Sequence, residues 1–453
     1  MRKTKIFKTL GFGFLSFMWL STSVNAATIT VHYNNTDAPR ITTYNDIRSS
    51  MSRYNVVGYN NGGIANVESQ LKNSVAFVAH HHGAPGRQFL NTTTSGISGT
   101  YSSSNWKSIN AMTPDLGKPL YIAIYYGCET GQTSNTYGNI VATTTTKFAK
   151  SAVAWTISTY VSDVNTWNKY FFEKAKNNST ASAALTYADT KLAADTGAYN
   201  ASGMKSKRVT SGSFSWSFRE WALKSKSIND TIVQKDLGNA VIKSYDNSTI
   251  NVKKIDEKIT SANKTFNYYA DDNNNEYIYD GNTMVGYINN NNDPLANKNQ
   301  SYSTMSNTNI LSKKSTAEDY LNDILERSNN NLSNYELIES SYSDATDEFV
   351  YLYGKRINGY LVNDSIIISI NSKNELVSYV APQQGLYDRY TDLRIDQNDV
   401  NEYIAESMKD IEIPYAIDRE FINLKDGNLV LQIGIKLIHT DGSLSTTTLY
   451  YNL

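Results

Sequence analysis

The sequence predicts an α/β first half built on a mostly parallel sheet, followed by an α+β domain with an antiparallel sheet. Two patterns carry that reading. Between residues 28 and 195, short runs that are apolar on both faces alternate with stretches of helical periodicity, as in a parallel sheet covered on both sides. From about 314, helix stripes are each followed by several consecutive strand-like runs, the mark of an antiparallel sheet with helices segregated to one side.

The elements follow in order. Ile29 to Tyr33 reads as a strand, and Tyr44, Ile47, Met51 and Tyr54 fall at the spacings of one helix face. Val56-Val57 is a second strand; Ile64, Val67 and Leu71 mark a helix. Val75 to Ala79 and Leu120 to Tyr126 are continuous apolar strands. Ile140, Thr144 and Phe148 lie on a helix face, Ala152 to Ile157 on a strand, and two helices follow, through Val164, Trp167 and Phe171 and through Ala181, Leu185, Ala188 and Leu192. Residues 196–310 are less regular, with a hairpin expected over Tyr277 to Ile288 and an Asn- and Ser-rich linker over 289–309. Beyond it, Ser315-Thr316-Ala317-Glu318 has the form of a capping box. Strands are expected at Tyr335–Glu339, Phe349–Tyr353, Ile366–Ile370, Leu376–Val380, Leu429–Ile438 and Leu444–Tyr451, with a second helix near Asn398 to Met408.

At 453 residues the chain exceeds one ordinary core. The expected division is a leader at 1–26, a first domain at 27–215, an irregular connector at 216–310 and a second domain at 311–453. Arg2, Lys3, Lys5 and Lys8 precede an apolar run from Leu10 to Leu20 and the small-residue site at Val24-Asn25-Ala26. That is the form of a secretory signal, too short in its apolar part to span a bilayer. The expectation is a secreted or cell-surface protein with no membrane span once the signal is removed. A net charge of -1, from 42 basic and 43 acidic side chains, gives no reason to expect a nucleic-acid partner.

The chain holds one Cys and five His. A lone thiol in an exported chain can make no internal disulfide and invites a chemical role, though a small buried hydrophobe is the bland alternative. His80, His81 and His82 close one apolar strand, and Cys128, 46 positions after His82, closes the other. If those strands are neighbours, imidazole and thiol meet beyond the carboxyl ends of a parallel sheet, where ligands bind. A metal site is the competing reading of three histidines; against it, adjacent strand residues seldom converge on one ion, and no Asp or Glu lies nearby.

Ser74-Val75-Ala76-Phe77-Val78-Ala79-His80-His81-His82-Gly83 and Leu120-Tyr121-Ile122-Ala123-Ile124-Tyr125-Tyr126-Gly127-Cys128 resemble the two catalytic strand ends of the caspase-like cysteine peptidases, the group of caspases, legumain, clostripain and gingipains. The separation is close to the ~50 residues of the caspase pattern. The Gln-Ala-Cys signature of true caspases is absent, and Tyr126-Gly127-Cys128-Glu129 stands in its place. The resemblance covers about residues 28–195. It implies a caspase-like three-layer α/β/α sandwich and a cysteine endopeptidase acting on protein or peptide substrates without a cofactor. In it Cys128 is the nucleophile and His82 the base, with His81 as runner-up, and the backbone N–H groups of Gly83 and Cys128 hold the oxyanion. Trp155, Thr156 and Asp163 follow the next strand, where such enzymes build their substrate pocket, although Trp155 also reads as core. A transpeptidase using the same dyad, and a non-catalytic surface protein that kept the fold, are the rival readings.

Residues 349–360, 366–371 and 375–379 resemble the PepSY-like domains of secreted bacterial protease propeptides, over about 314–382, with a second, imperfect copy to 453. That resemblance implies inhibition, chaperoning or surface retention of the enzyme, and extends the expectation to a zymogen restrained by its own C-terminal domain; an unrelated antiparallel binding module is the rival reading.

Overall fold

The computed structural model describes residues 27–453 apart from 37–38, 92–93, 115–119, 223–236, 261–263, 293–309 and 329. The expected leader, and most of the expected linker, lie outside the described residues.

The first half alternates as its periodicity requires: β1 (Thr28–Tyr33), α1 (Ile41–Ser50), β2 (Asn55–Asn60), α2 (Val67–Asn73) and β3 (Ser74–His80). Four short strands come next, β4 (Gly83–Ala84), β5 (Arg87–Phe89), β6 (Gly96–Ser98) and β7 (Trp106–Ser108). Then follow β8 (Leu120–Tyr125), α3 (Ile140–Lys147), β9 (Ala149–Trp155), α4 (Val161–Ala175), α5 (Ala181–Thr196), α6 (Ala198–Ser206), β10 (Arg208–Gly212) and α7 (Arg219–Ala222). The main sheet has the order β10-β9-β8-β3-β1-β2, parallel throughout except for β10. Its two faces have separate cores. Ala76, Val78, Ile122, Ile124 and Val153 pack against α1, α4 and α5, while Phe77, Ala79, Ala123 and Ala152 pack against α2 and α3. Helix starts are set by side-chain caps, Asn139 for α3 and Thr180 for α5.

The stretch the sequence presents as irregular holds an antiparallel meander: β11 (Asn239–Lys243), β12 (Thr249–Ile259), β13 (Thr265–Ala270), β14 (Glu276–Asp280) and β15 (Thr283–Ile288). The hairpin expected at Asp280-Gly281 is β14–β15. β12 escapes notice because Lys253, Lys254, Asp256, Glu257 and Lys258 break its apolar alternation; the strand is largely solvated. The Asn289 amide donates to the Val377 carbonyl, and the Asn292 side chain to the Thr346 carbonyl in a turn.

The rest comprises α8 (Lys314–Arg327), β16 (Glu336–Ser343), β17 (Glu348–Ile357), β18 (Tyr360–Ile370), β19 (Leu376–Val380), α9 (Gln397–Met408), β20 (Tyr415–Lys425), β21 (Asn428–Ile438) and β22 (Leu444–Asn452). The expected capping box is not formed. α8 begins two residues earlier, Lys313 occupies its N-cap without a side-chain bond, and Glu318 pairs with Lys314 instead. β15 pairs with β19, so the meander extends the sheet of the second half. Helices α4–α6 lie between the two sheets, and one core runs from Trp155 and Leu185 to Tyr268, Val350 and Ile367. Two buried ion pairs cross this seam, Lys205–Glu348 at 2.7 Å and Lys191–Glu276 at 3.1 Å. The chain is thus a mixed α/β protein with two large sheets sharing a helical layer.

Among the described residues no helix is long and apolar enough to cross a membrane.

Candidate active site

β3 and β8 are neighbours in parallel register, Ala79 beside Tyr125. The chain leaves both strands at the same end, and the Tyr126 amide donates to the Ala79 carbonyl at 2.8 Å. Two glycines then touch. A Cβ on Gly83 would stand 2.6 Å from the Gly127 Cα and 2.2 Å from Thr130 Oγ1. No side chain fits there, so the His82-Gly83 and Gly127-Cys128 turns are drawn together by the lack of one. Glu129 follows with φ at 55°, a left-handed residue that turns the chain sharply after the thiol.

Gln88, which no sequence pattern singles out, joins the two turns. Its Oε1 accepts from the Gly127 amide at 3.0 Å, and its Nε2 donates to the His82 carbonyl at 3.0 Å. It is fully buried, and no spacing or motif marks it.

The three histidines diverge. The His80 Nδ1 meets Thr43 Oγ1 at 2.7 Å, and its ring packs edge-on to Tyr126. The His81 Nε2 meets Asn61 Oδ1 at 3.1 Å, and its Nδ1 accepts from the His82 amide at 2.8 Å. The His82 Nδ1 lies 3.3 Å from the Leu444 carbonyl, and its ring is 5.2 Å from that of His439. A carbonyl oxygen only accepts, so the His82 Nδ1 carries hydrogen. The alternation of side chains along an extended strand reaches only as far as His80, where β3 ends. Among the described residues no group of three or more His, Cys, Asp or Glu is placed to hold a metal ion.

Cys128 is 4% exposed. Its Sγ lies 3.7 Å from the Thr159 carbonyl and 3.8 Å from Thr159 Oγ1. Burial pushes the thiol above its ordinary value, against the hydrogen bonds of Thr159 and the charge of Arg40.

The last two strands cover this region. Leu444 of β22 pairs with Gly83 of β4. Thr446 Oγ1 donates to the same Thr159 carbonyl that meets the thiol, at 3.0 Å. Lys436 of β21 pairs with Glu129 at 2.9 Å, and Arg87 donates to the carbonyls of Asp441 and Gly442.

The pocket residues expected from sequence are dispersed. Trp155 is core: its ring stacks on Tyr126 and its Nε1 donates to the Met204 carbonyl at 2.8 Å. Thr156 bonds through its amide to Lys207 at the sheet edge. Asp163, in the first turn of α4, is buried and pairs with Arg419 of β20 at 3.2 Å. Burial pushes the Asp163 carboxyl up, opposed by the Arg419 guanidinium. Sequence reasoning did not identify β20, whose first half is exposed and carries charge.

No family model matches the chain, and no curated protein matches it. Among solved structures, the chain is similar to the Bacillus megaterium YpeB C-terminal domain, at 13% identity over 47% of this chain and 89% of that one, with a TM-score of 0.22. It is also similar to MucB, at 10% identity over 48% and 86%, with a TM-score of 0.09. Scores of that size do not define a shared fold.

Proposed function

We propose that this chain is a secreted, caspase-like cysteine endopeptidase in a latent form, with Cys128 as nucleophile, His82 as base, and the PepSY-like C-terminal half as its restraint. The observation that carries the reading is the meeting of Gly83 with Gly127, which brings the chain's one thiol and His82 to the ends of adjacent parallel strands.

In the reaction, the Cys128 thiolate attacks the peptide carbonyl carbon. The tetrahedral oxyanion is held by the backbone N–H groups of Gly83 and Cys128, each such donor contributing ~3 kcal/mol. The C–N bond breaks as His82 protonates the leaving amine, and water then hydrolyses the thioester. Latency follows from what β22 occupies. Leu444 takes the His82 Nδ1–H and the open edge of β4, and Thr446 takes the carbonyl beside the thiol. With β22 lifted, β4 has a free edge for an extended peptide, a common mode of substrate binding.

The test is hydrolysis of a peptide library by the full mature chain carrying Leu444→Pro, which cannot keep the β22–β4 pairing. Turnover that disappears with Cys128→Ala is expected. Turnover that survives Cys128→Ala rules the reading out.

A further inference from the structure

The loop that meets the thiol continues directly into a second niche. Thr159 touches Cys128, and Tyr160 and Asp163 follow at the start of α4. Into this niche β20 inserts Arg419. Its guanidinium carbon stands 3.8 Å from the Tyr160 ring centroid, its Nη2 lies 3.2 Å from Asp163 Oδ2, and its Nη1 donates to the Asn200 carbonyl at 3.1 Å. The Tyr160 hydroxyl is engaged from the same strand, donating to Asp418 at 2.9 Å.

An aromatic face, a carboxylate and a carbonyl form a complete recognition set for a planar cation. All three come from the half that carries the dyad, while the guanidinium comes only from the half that covers it. The strands continuous with β20 are those that place Leu444 and Thr446 on His82 and Thr159. Lifting them would take the counter-ion from Asp163 and open its carboxylate, beside the Tyr160 face, to another cation in the same place.

On the peptidase reading, we propose that Tyr160, Asp163 and the Asn200 carbonyl form the specificity pocket for a guanidinium-bearing side chain of the substrate, and that Arg419 fills this pocket in the latent chain. Asp163 is then the residue that selects substrates with arginine at the cleaved position.

The experiment uses the full mature chain with Arg419→Ala, and with Arg419→Met, which keeps the packing on Tyr160 without the charge. Each is treated with three peptidyl chloromethyl ketones ending in arginine, leucine or aspartate, and alkylation of Cys128 is followed by mass. The arginyl probe should react at least tenfold faster than the others, and adding Asp163→Asn should bring the three within about twofold. Equal rates, a preference for leucine or aspartate, or a thiol no more reactive than in the parent chain would overturn the assignment. Iodoacetamide needs no pocket. Its reaction with Cys128 in a chain that none of the three probes labels would count against the peptidase reading itself.

Discussion

The His82 imidazole donates to the carbonyl of Leu444, a residue 362 positions further along the chain. The bond ties the expected catalytic base to the strand that hides it. It also sets the hydrogen on Nδ1 while the chain is closed.

Weakening the cover should expose the thiol in proportion. Lys436→Glu replaces a partly exposed ion pair with Glu129 by a like-charge pair, a change of about 1 kcal/mol. Iodoacetamide should then alkylate Cys128 several-fold faster, with global stability to denaturant nearly unchanged. Identical rates would mean that β21–β22 does not control access.

The pH dependence of that alkylation has a defined sign. Burial raises the Cys128 thiol in the closed chain, so its thiolate forms at higher pH than the ordinary ~8.5 of a free thiol. Opening the site with Leu444→Pro should move the rate–pH curve to lower pH. A shift to higher pH contradicts the desolvation argument.

The three histidines should separate by readout. His82→Ala should lower kcat/KM of the opened chain by orders of magnitude with little loss of stability. His80→Ala removes a buried bond to Thr43 and should cost about 1–2 kcal/mol in denaturant unfolding. A chain inactivated by His81→Ala but not His82→Ala would reassign the base to His81.

Gln88→Leu should act on both turns at once. It takes the partner of the Gly127 amide, a loss of about 1–3 kcal/mol for a buried group left unpaired, and leaves the His82 carbonyl with the Phe89 amide alone. The expected result is a larger fall in the kcat/KM of the opened chain than in that of a Leu control substitution elsewhere in β5. Unchanged kinetics would reduce Gln88 to packing.

Acid should loosen the fold before it titrates the surface. Burial holds His32 down at about 4, against the bond its Nε2 makes to Gln70 Oε1. Between that value and 6.5 the unfolded chain takes up a proton that the folded chain refuses, so stability is lost as pH falls through the window. Glu348 adds to this at lower pH. Burial raises its carboxyl, but the charge of Lys205, with hydrogen bonds from Lys205, Ser369 and Thr186, holds it at about 2. Its stabilisation is present above the ordinary 4.5 and disappears towards 2. Thermal melting from pH 7 to pH 3 should show a steadily falling Tm, and Lys205→Met should cost about 3–5 kcal/mol at neutral pH by stranding Glu348.

Much of the scaffold was legible because its signals are local. β3 and β8 are apolar on both faces, and their ends mark His82 and Cys128 without further help. The helix stripes of α4 and α5 are equally plain. What could not be read is pairing over long distance and order in short pieces. β4 is two residues long and has no period to detect. Its partnership with Leu444 depends on how two sheets share a layer of helices, which no window of sequence contains. The same limit hid the seam: β15 reads as part of a connector but is bonded to β19, so a cut after residue 288 would divide a sheet and not release a module. Gln88 and Arg419 act through where they are carried, and neither belongs to a pattern.

The distance between His82 and Leu444 along the chain also sets an order in time. A protein made from its N-terminus has β3, β8 and both glycine turns in hand long before β22 exists. Until the last strand is synthesised and seated, the thiol has no cover. The interval in which this molecule is most exposed is its own biogenesis, and truncation within β22 should produce a chain that labels its Cys128 as it emerges.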